Sequence, residues 1–233
     1  MRILVTRPDG ARTAEELRAR GHAPVVAPLL RIEPIAGADL GGSWVAIVLT
    51  SVNAARTLQA HPQRAGLDGL PVYAVGQRSA QAARDAGFTD VTSAEGDVTD
   101  LAGLVVERVG EGTLLYLAGE DRAGDLAGEL ADHGLDVHTA VVYRAVPVET
   151  LPEPARAALG AGAVDGVLHY SRRSAEVFVD HARQAGILGQ ALTAIHYCLS
   201  PQVAGPLQAA GAAQIRIARR PDETALFELL GRS

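Results

Sequence analysis

The sequence predicts an α/β protein built from two flavodoxin-like, doubly wound parallel-sheet domains. Three observations carry this reading. Short apolar strand-like runs alternate with helical stretches along the chain, the pattern of a parallel sheet covered on both faces. The pattern occurs twice, at an offset that drifts from 113 to about 125 positions. The 233 residues also divide naturally into two units of roughly 100 to 130 residues, each large enough for its own core.

The first segment, residues 3–35 (ILVTRPDGARTAEELRARGHAPVVAPLLRIEPI), reads as strand, loop, helix, glycine turn and strand. Leu17 and Gly21 close the helix, glycine being the residue that enters the left-handed turn at no steric cost. The run 114–148 repeats this order: Leu130, Gly134 and Pro147 lie 113 positions after Leu17, Gly21 and Pro34, without a gap. Three anchors at one offset mark a duplication. Residues 45–58 and 165–178 form the next pair, each a buried-type strand followed by a helix, with Ser51 and Ser171 120 apart. In the third pair Gly76, Ala80 and Gly87 match Ser200, Ala204 and Gly211 at offset 124, and a fourth joins Thr99 and Leu101 to Thr224 and Leu226. Each copy thus offers about five strands, and such sheets take ligands at the carboxyl ends of their strands, where strand order reverses. Two of them can share one cleft.

Composition narrows the function. A net charge of −6, with 48% hydrophobic and 21% charged residues, belongs to a soluble globular protein and argues against a nucleic-acid partner, since phosphate backbones select a basic face. No apolar run reaches the ~18 residues of a membrane span, and a strand begins at Ile3, so the expectation is a cytoplasmic protein with no membrane partner. Nothing demands more than a monomer. The single cysteine, Cys198, sits in an apolar run and reads as a buried, inert thiol. All 21 basic residues are arginine, which excludes lysine Schiff bases, pyridoxal phosphate anchoring and a P-loop lysine. There is no G-x-G-x-x-G, no G-x-S-x-G elbow, and no histidine spacing that sets two metal ligands on one helical face. No cofactor and no metal are expected.

The strand ends carry Thr6, Thr50, Ser51, Gly76, Gly119, Ser171 and Ser200, each just before a helix. Ser, Thr and Gly are ordinary helix caps, yet their recurrence in both copies brings several helix N-termini, with free N–H groups, to equivalent places. Arg7, Arg56, Arg78, Arg122, Arg172 and Arg173 fall in the same loops, and guanidinium forks pair well with carboxylates. A polyanionic small molecule is the ligand they favour together, whether for cofactor-free chemistry or for binding alone.

The ordered series ILVTRP (3–8), LTSVNAA (49–55), YAVGQRSA (73–80), AVVYRAV (140–146) and DETALFELL (222–230) resembles the uroporphyrinogen III synthases across nearly the whole chain. The resemblance implies a cofactor-independent lyase that closes linear hydroxymethylbilane to a tetrapyrrole macrocycle with its last ring inverted. It implies that residues 1–35 and 148–233 form one discontinuous domain and residues 36–147 the other, joined by a two-stranded antiparallel hinge near 30–36 and 141–148. Tyr143 matches the family tyrosine implicated in the departure of water; a phenol keeps its proton at neutral pH and can donate to the leaving oxygen. The resemblance adds Ser79, Tyr170 and Gln202 to the expected substrate contacts. This chain departs from the family where Tyr170 and Ser171 replace a frequent Thr-Ser, where Ser79 replaces a common threonine, and in the turn Ser200 to Val203.

Overall fold

The computed structural model describes residues 1–122 and 124–231. It begins with β1 (Arg2–Val5), α1 (Gly10–Ala19), β2 (Ala23–Val26) and β3 (Leu30–Pro34). There follow β4 (Ala46–Leu49), α2 (Val52–Gln59), β5 (Val72–Ala74), α3 (Gln77–Asp85), β6 (Val91–Ser93), α4 (Val98–Arg108), β7 (Thr113–Gly119), α5 (Leu126–Asp132) and β8 (Asp136–Pro147). The chain continues through α6 (Glu153–Gly160), β9 (Gly166–His169), α7 (Arg172–Gln184), α8 (Leu188–Ala191), β10 (Ile195–Cys198), α9 (Pro201–Ala209), β11 (Ile215–Ile217) and α10 (Glu223–Glu228). It forms two units: unit 1 comprises Met1–Arg31 and Val146–Ser233, and unit 2 comprises Ile32–Ala145.

The sheet of unit 1 has the order β11-β10-β9-β1-β2, and every pairing in it is parallel. Counted along the unit, this is the flavodoxin-like order 2-1-3-4-5. The sheet of unit 2 runs β3-β8-β7-β4-β5-β6. Its five parallel strands have the same order once β7 is counted first. The copies have therefore exchanged pieces: β1-α1-β2 from the first copy completes the sheet that β9, β10 and β11 of the second begin, and the converse holds in unit 2.

Unit 2 departs from a purely parallel sheet at its edge. Ile35 N–H donates to the Val142 carbonyl at 2.8 Å and Val148 N–H to the Leu29 carbonyl at 3.0 Å, so residue numbers rise on one strand as they fall on the other and β3 runs antiparallel to β8. Glu33 faces Arg144 between those bonds at 3.1 Å. An antiparallel strand here covers the hydrogen-bonding edge that β8 would otherwise expose.

The 113-residue offset maps β2 and β3 together onto the single long strand β8. Pro28, which has no N–H to give a ladder, separates β2 from β3. Its counterpart is Val141, and there too the ladder is irregular: Ala118 pairs with Val141, but Gly119 pairs with Tyr143. The extra residue is a β-bulge, a device that re-aims the side chain beyond it.

Strand alternation builds the core. In unit 2 Ile47, Leu49, Leu115, Leu117 and Val142 pack with α2 and α3, whereas Ala46, Val48, Leu114 and Tyr116 pack with α4 and α5. In unit 1 Ile3, Val5, Leu168 and Tyr197 meet Leu17 of α1 and Leu226 and Phe227 of α10. Equivalent glycines end equivalent helices in the left-handed region: Gly21 (φ 81°) and Gly134 (φ 82°), Gly87 (φ 95°) and Gly211 (φ 91°). The fourth pair also holds, for Asp97 and Asp222 cap α4 and α10, and Leu101 and Leu226 are fully buried. No helix among the described residues is long and apolar enough to cross a membrane.

Candidate functional site

In unit 1 strand order reverses between β1 and β9, whose carboxyl ends carry Thr6-Arg7 and Tyr170-Ser171. Thr6 is fully buried and its hydroxyl donates to the Leu168 carbonyl at 2.8 Å, so this side chain ties β1 to β9 instead of facing a ligand. The Arg7 guanidinium lies 4.6 Å from the centre of the Tyr170 ring. Both donate to the Glu223 carboxylate, Arg7 at 3.0 Å and Tyr170 at 3.2 Å, as does the Thr13 hydroxyl at 2.6 Å; Arg12 bonds the same group. Burial acts to raise Glu223, but Thr13, Arg7 and Arg12 outweigh it and hold the carboxyl below its ordinary range. Burial and then the Glu223 charge push the Tyr170 phenol well above its ordinary value.

In unit 2 the reversal falls between β7 and β4. Gly119 ends β7, and a side chain there would strike the Tyr143 ring: a Cβ would lie 2.6 Å from Cζ and 2.7 Å from Oη. The bulge on β8 thus lays Tyr143 across the end of β7, with the hydroxyl at the strand terminus. Tyr143 is half-buried, and its carbonyl accepts from Glu120 N–H at 2.9 Å. Beside it, at the end of β4, Thr50 shares a 3.1 Å hydrogen bond with the Tyr116 hydroxyl.

The serines at the strand ends do cap helices. Ser51 Oγ accepts from Asn53 N–H at 3.1 Å, Ser171 Oγ from Ser174 N–H at 3.1 Å, and Ser200 Oγ from Val203 N–H at 3.4 Å. Gly76 occupies the corresponding position before α3 with no side chain to cap it, and a Cβ there would meet nothing within 4 Å. Ser79 is 4% exposed and turned into the core of unit 2. Arg78 joins Arg56, Gln59 and Asp85 along a groove between α2 and α3, while Gln202 joins Arg172, Glu176 and Asp180 along the equivalent groove between α7 and α9. Arg122 is exposed in the turn after β7. Cys198 is fully buried, and burial pushes its thiol up to about 12, so it offers no nucleophile. No group of acidic, histidine or cysteine side chains among the described residues could hold a metal ion.

The structure therefore gathers Arg7 and Tyr170 at one reversal point and Thr50, Ser51, Gly119 and Tyr143 at the other. Sequence reasoning missed Arg12, Thr13 and Glu223. They meet their partners across more than 200 positions, and only the strand exchange brings them together. Tyr116 was missed because its alternation marks a core strand residue.

The sequence profile of the family described as uroporphyrinogen-III synthase HemD matches residues 11–228. The chain belongs to the uroporphyrinogen-III synthase family. Its enzymes are lyases of tetrapyrrole biosynthesis acting on a tetrapyrrole substrate, and this chain carries that function. Among solved structures, the uroporphyrinogen-III synthetase of Helicobacter pylori is 21% identical, with a TM-score of 0.65 over 99% of this chain and 98% of that one. The uroporphyrinogen III synthase of Thermus thermophilus is also 21% identical, with a TM-score of 0.44 over 99% and 95% of the two chains. A search of curated protein sequences finds no match. The Helicobacter likeness supports the two-sheet α/β fold of the synthase family, and the site residues rest on the geometry above.

Proposed function

We propose that this chain converts linear hydroxymethylbilane to uroporphyrinogen III without a cofactor, and that Tyr143 donates a proton to the departing hydroxyl. It works as a cytoplasmic monomer of two domains, one assembled from both ends of the chain and the other from its middle. The pyrrole nitrogen lone pair pushes out the hydroxyl, which takes a proton and leaves as water, and the resulting azafulvenium cation is attacked by the substituted carbon of the terminal ring. Rearrangement through a spiro intermediate inverts that ring, and closure at its unsubstituted carbon releases that carbon's proton, which balances the one the phenol gave up. The protein's contribution is chiefly to hold the bilane in the productive fold, because untended closure gives the symmetric isomer.

What supports the Tyr143 assignment is its place: a phenol laid over a glycine at the strand-order reversal of unit 2, where such sheets take their ligands. The substrate's carboxylates are met by donors at the strand ends. An N-cap serine spends a lone pair on its helix and keeps its hydroxyl proton for an anion, which suits Ser51 and Ser200. The uncapped start of α3 beyond Gly76 leaves helix N–H groups for another carboxylate.

The assay uses freshly made hydroxymethylbilane and separates the type III from the type I isomer. Wild type should give type III in excess, and Tyr143→Phe should slow turnover by at least about tenfold. Near-normal turnover in that variant would reduce Tyr143 to a packing residue, and a product mixture no different from the uncatalysed one would refute the reaction itself.

A further inference from the structure

In unit 1 a carboxylate-binding set is already filled from within. Two guanidiniums, a phenol and a hydroxyl are the donors that recognise a carboxylate, and Arg7, Arg12, Tyr170 and Thr13 all direct theirs at Glu223. Arg7 and Tyr170 come from the ends of β1 and β9, the reversal point where such a sheet takes its ligand. The cluster is not sealed: the Arg7 side chain is 25% exposed and that of Glu223 17%.

Attachment of α10 does not require this carboxylate. Asp222 caps the helix through Ala225 N–H at 2.7 Å, and Ala225, Leu226 and Phe227 are buried beneath it. Glu223 adds a negative charge placed against the donors an anionic substrate would use.

Resting on the function proposed above, we propose that Glu223 is a specificity-determining residue, a resident carboxylate that holds Arg7 and Tyr170 in a carboxylate-receiving pose and competes with a substrate carboxylate for them. A lone carboxylate gains little by exchanging with Glu223, since one anion replaces another. A polycarboxylate anchored at several other points presents its next carboxylate at high effective concentration and wins the exchange. Glu223 thereby favours molecules carrying many carboxylates over those carrying one.

Glu223→Gln tests this, for it keeps the side chain's size and an acceptor oxygen while removing the charge. With uroporphyrin III as the fluorescent probe, the Kd of Glu223→Gln should fall by at least about threefold at low ionic strength, and the gain should shrink at high salt. The KM for hydroxymethylbilane should fall with it. Glu223→Asp, which keeps the charge, should stay within about twofold of wild type, and Arg7→Gln should cancel the gain in the double variant. An unchanged Kd in Glu223→Gln would leave the cluster a mere clamp, and a higher Kd would make Glu223 an aid to binding; either overturns the proposal. If Glu223→Gln does not fold, Arg7→Gln decides: weaker uroporphyrin binding supports the shared donor and unaltered binding overturns it. A wild-type chain that neither binds uroporphyrin III nor converts hydroxymethylbilane overturns both readings, whereas binding and turnover with an unaltered Glu223→Gln overturn this one alone.

Discussion

Gly119 and Tyr143 are a matched pair. A methyl group at 119 would overlap the phenol ring, so Gly119→Ala must displace it. Turnover should drop by roughly tenfold, as positioning losses of this kind do, while the unfolding midpoint changes little; steady-state kinetics and a thermal melt check both halves. A second residue-scale feature is the histidine pair in the core of unit 1. His169 Nε2 and His196 Nδ1 are 3.0 Å apart, and both rings are fully buried against Phe178. Burial lowers His169 well below its ordinary value and brings His196 down to about 4. Between pH 6.5 and about 4 the unfolded chain binds protons that the folded pair refuses, so stability falls as pH drops through that window. Melts across it should show the decline, and a His169→Leu, His196→Leu variant should show less of it. Neither histidine was legible as a core group, because an imidazole in an apolar strand reads equally as a surface tip. The capping serines were legible as helix starts, and what they lacked was any local sign of which hydroxyl faces a ligand.

At the scale of elements, the repeat made the chain readable. Strands of three or four residues carry almost no signal alone, yet two copies of each, with matching glycines in the left-handed region, fix where helices stop and strands resume. The bulge and the antiparallel edge were less visible, since a ladder irregularity depends on the partner strand and Pro28 marks it in only one copy. Equivalent elements should respond alike to equivalent changes. Leu101→Ala in α4 and Leu226→Ala in α10 each empty a fully buried site, and each should cost about 2–5 kcal/mol in denaturant titrations. Asp97→Ala removes an N-cap that accepts from Thr99 and Asp100 N–H and should cost ~1 kcal/mol.

At the scale of the whole molecule, the exchange of segments between copies was beyond the reach of spacing. The periodicities are identical whether β1 joins β9 or β4, so hydrophobic pattern alone cannot choose, and only the family resemblance suggested the assignment. The Glu223 cluster shared that fate, since its members come from opposite ends of the sequence. A fragment spanning residues 30–147 holds all the strands of one sheet and both of its core layers. It should unfold cooperatively by circular dichroism, whereas residues 146–233 without 1–31 lack two strands and should not.

The same exchange sets a timetable during synthesis. Residues 1–31 leave the ribosome before residues 146–233, so β1 must wait for β9, whose first paired residue is Gly166, opposite Ile3. Unit 2 is contiguous and can collapse while those strands are still unpaired, as domains of nascent chains do. β1 is thus translated well before the partner that completes its pairing, and the short length of β1 and β2, four residues each, limits how much sticky edge they expose to neighbouring chains in the interval.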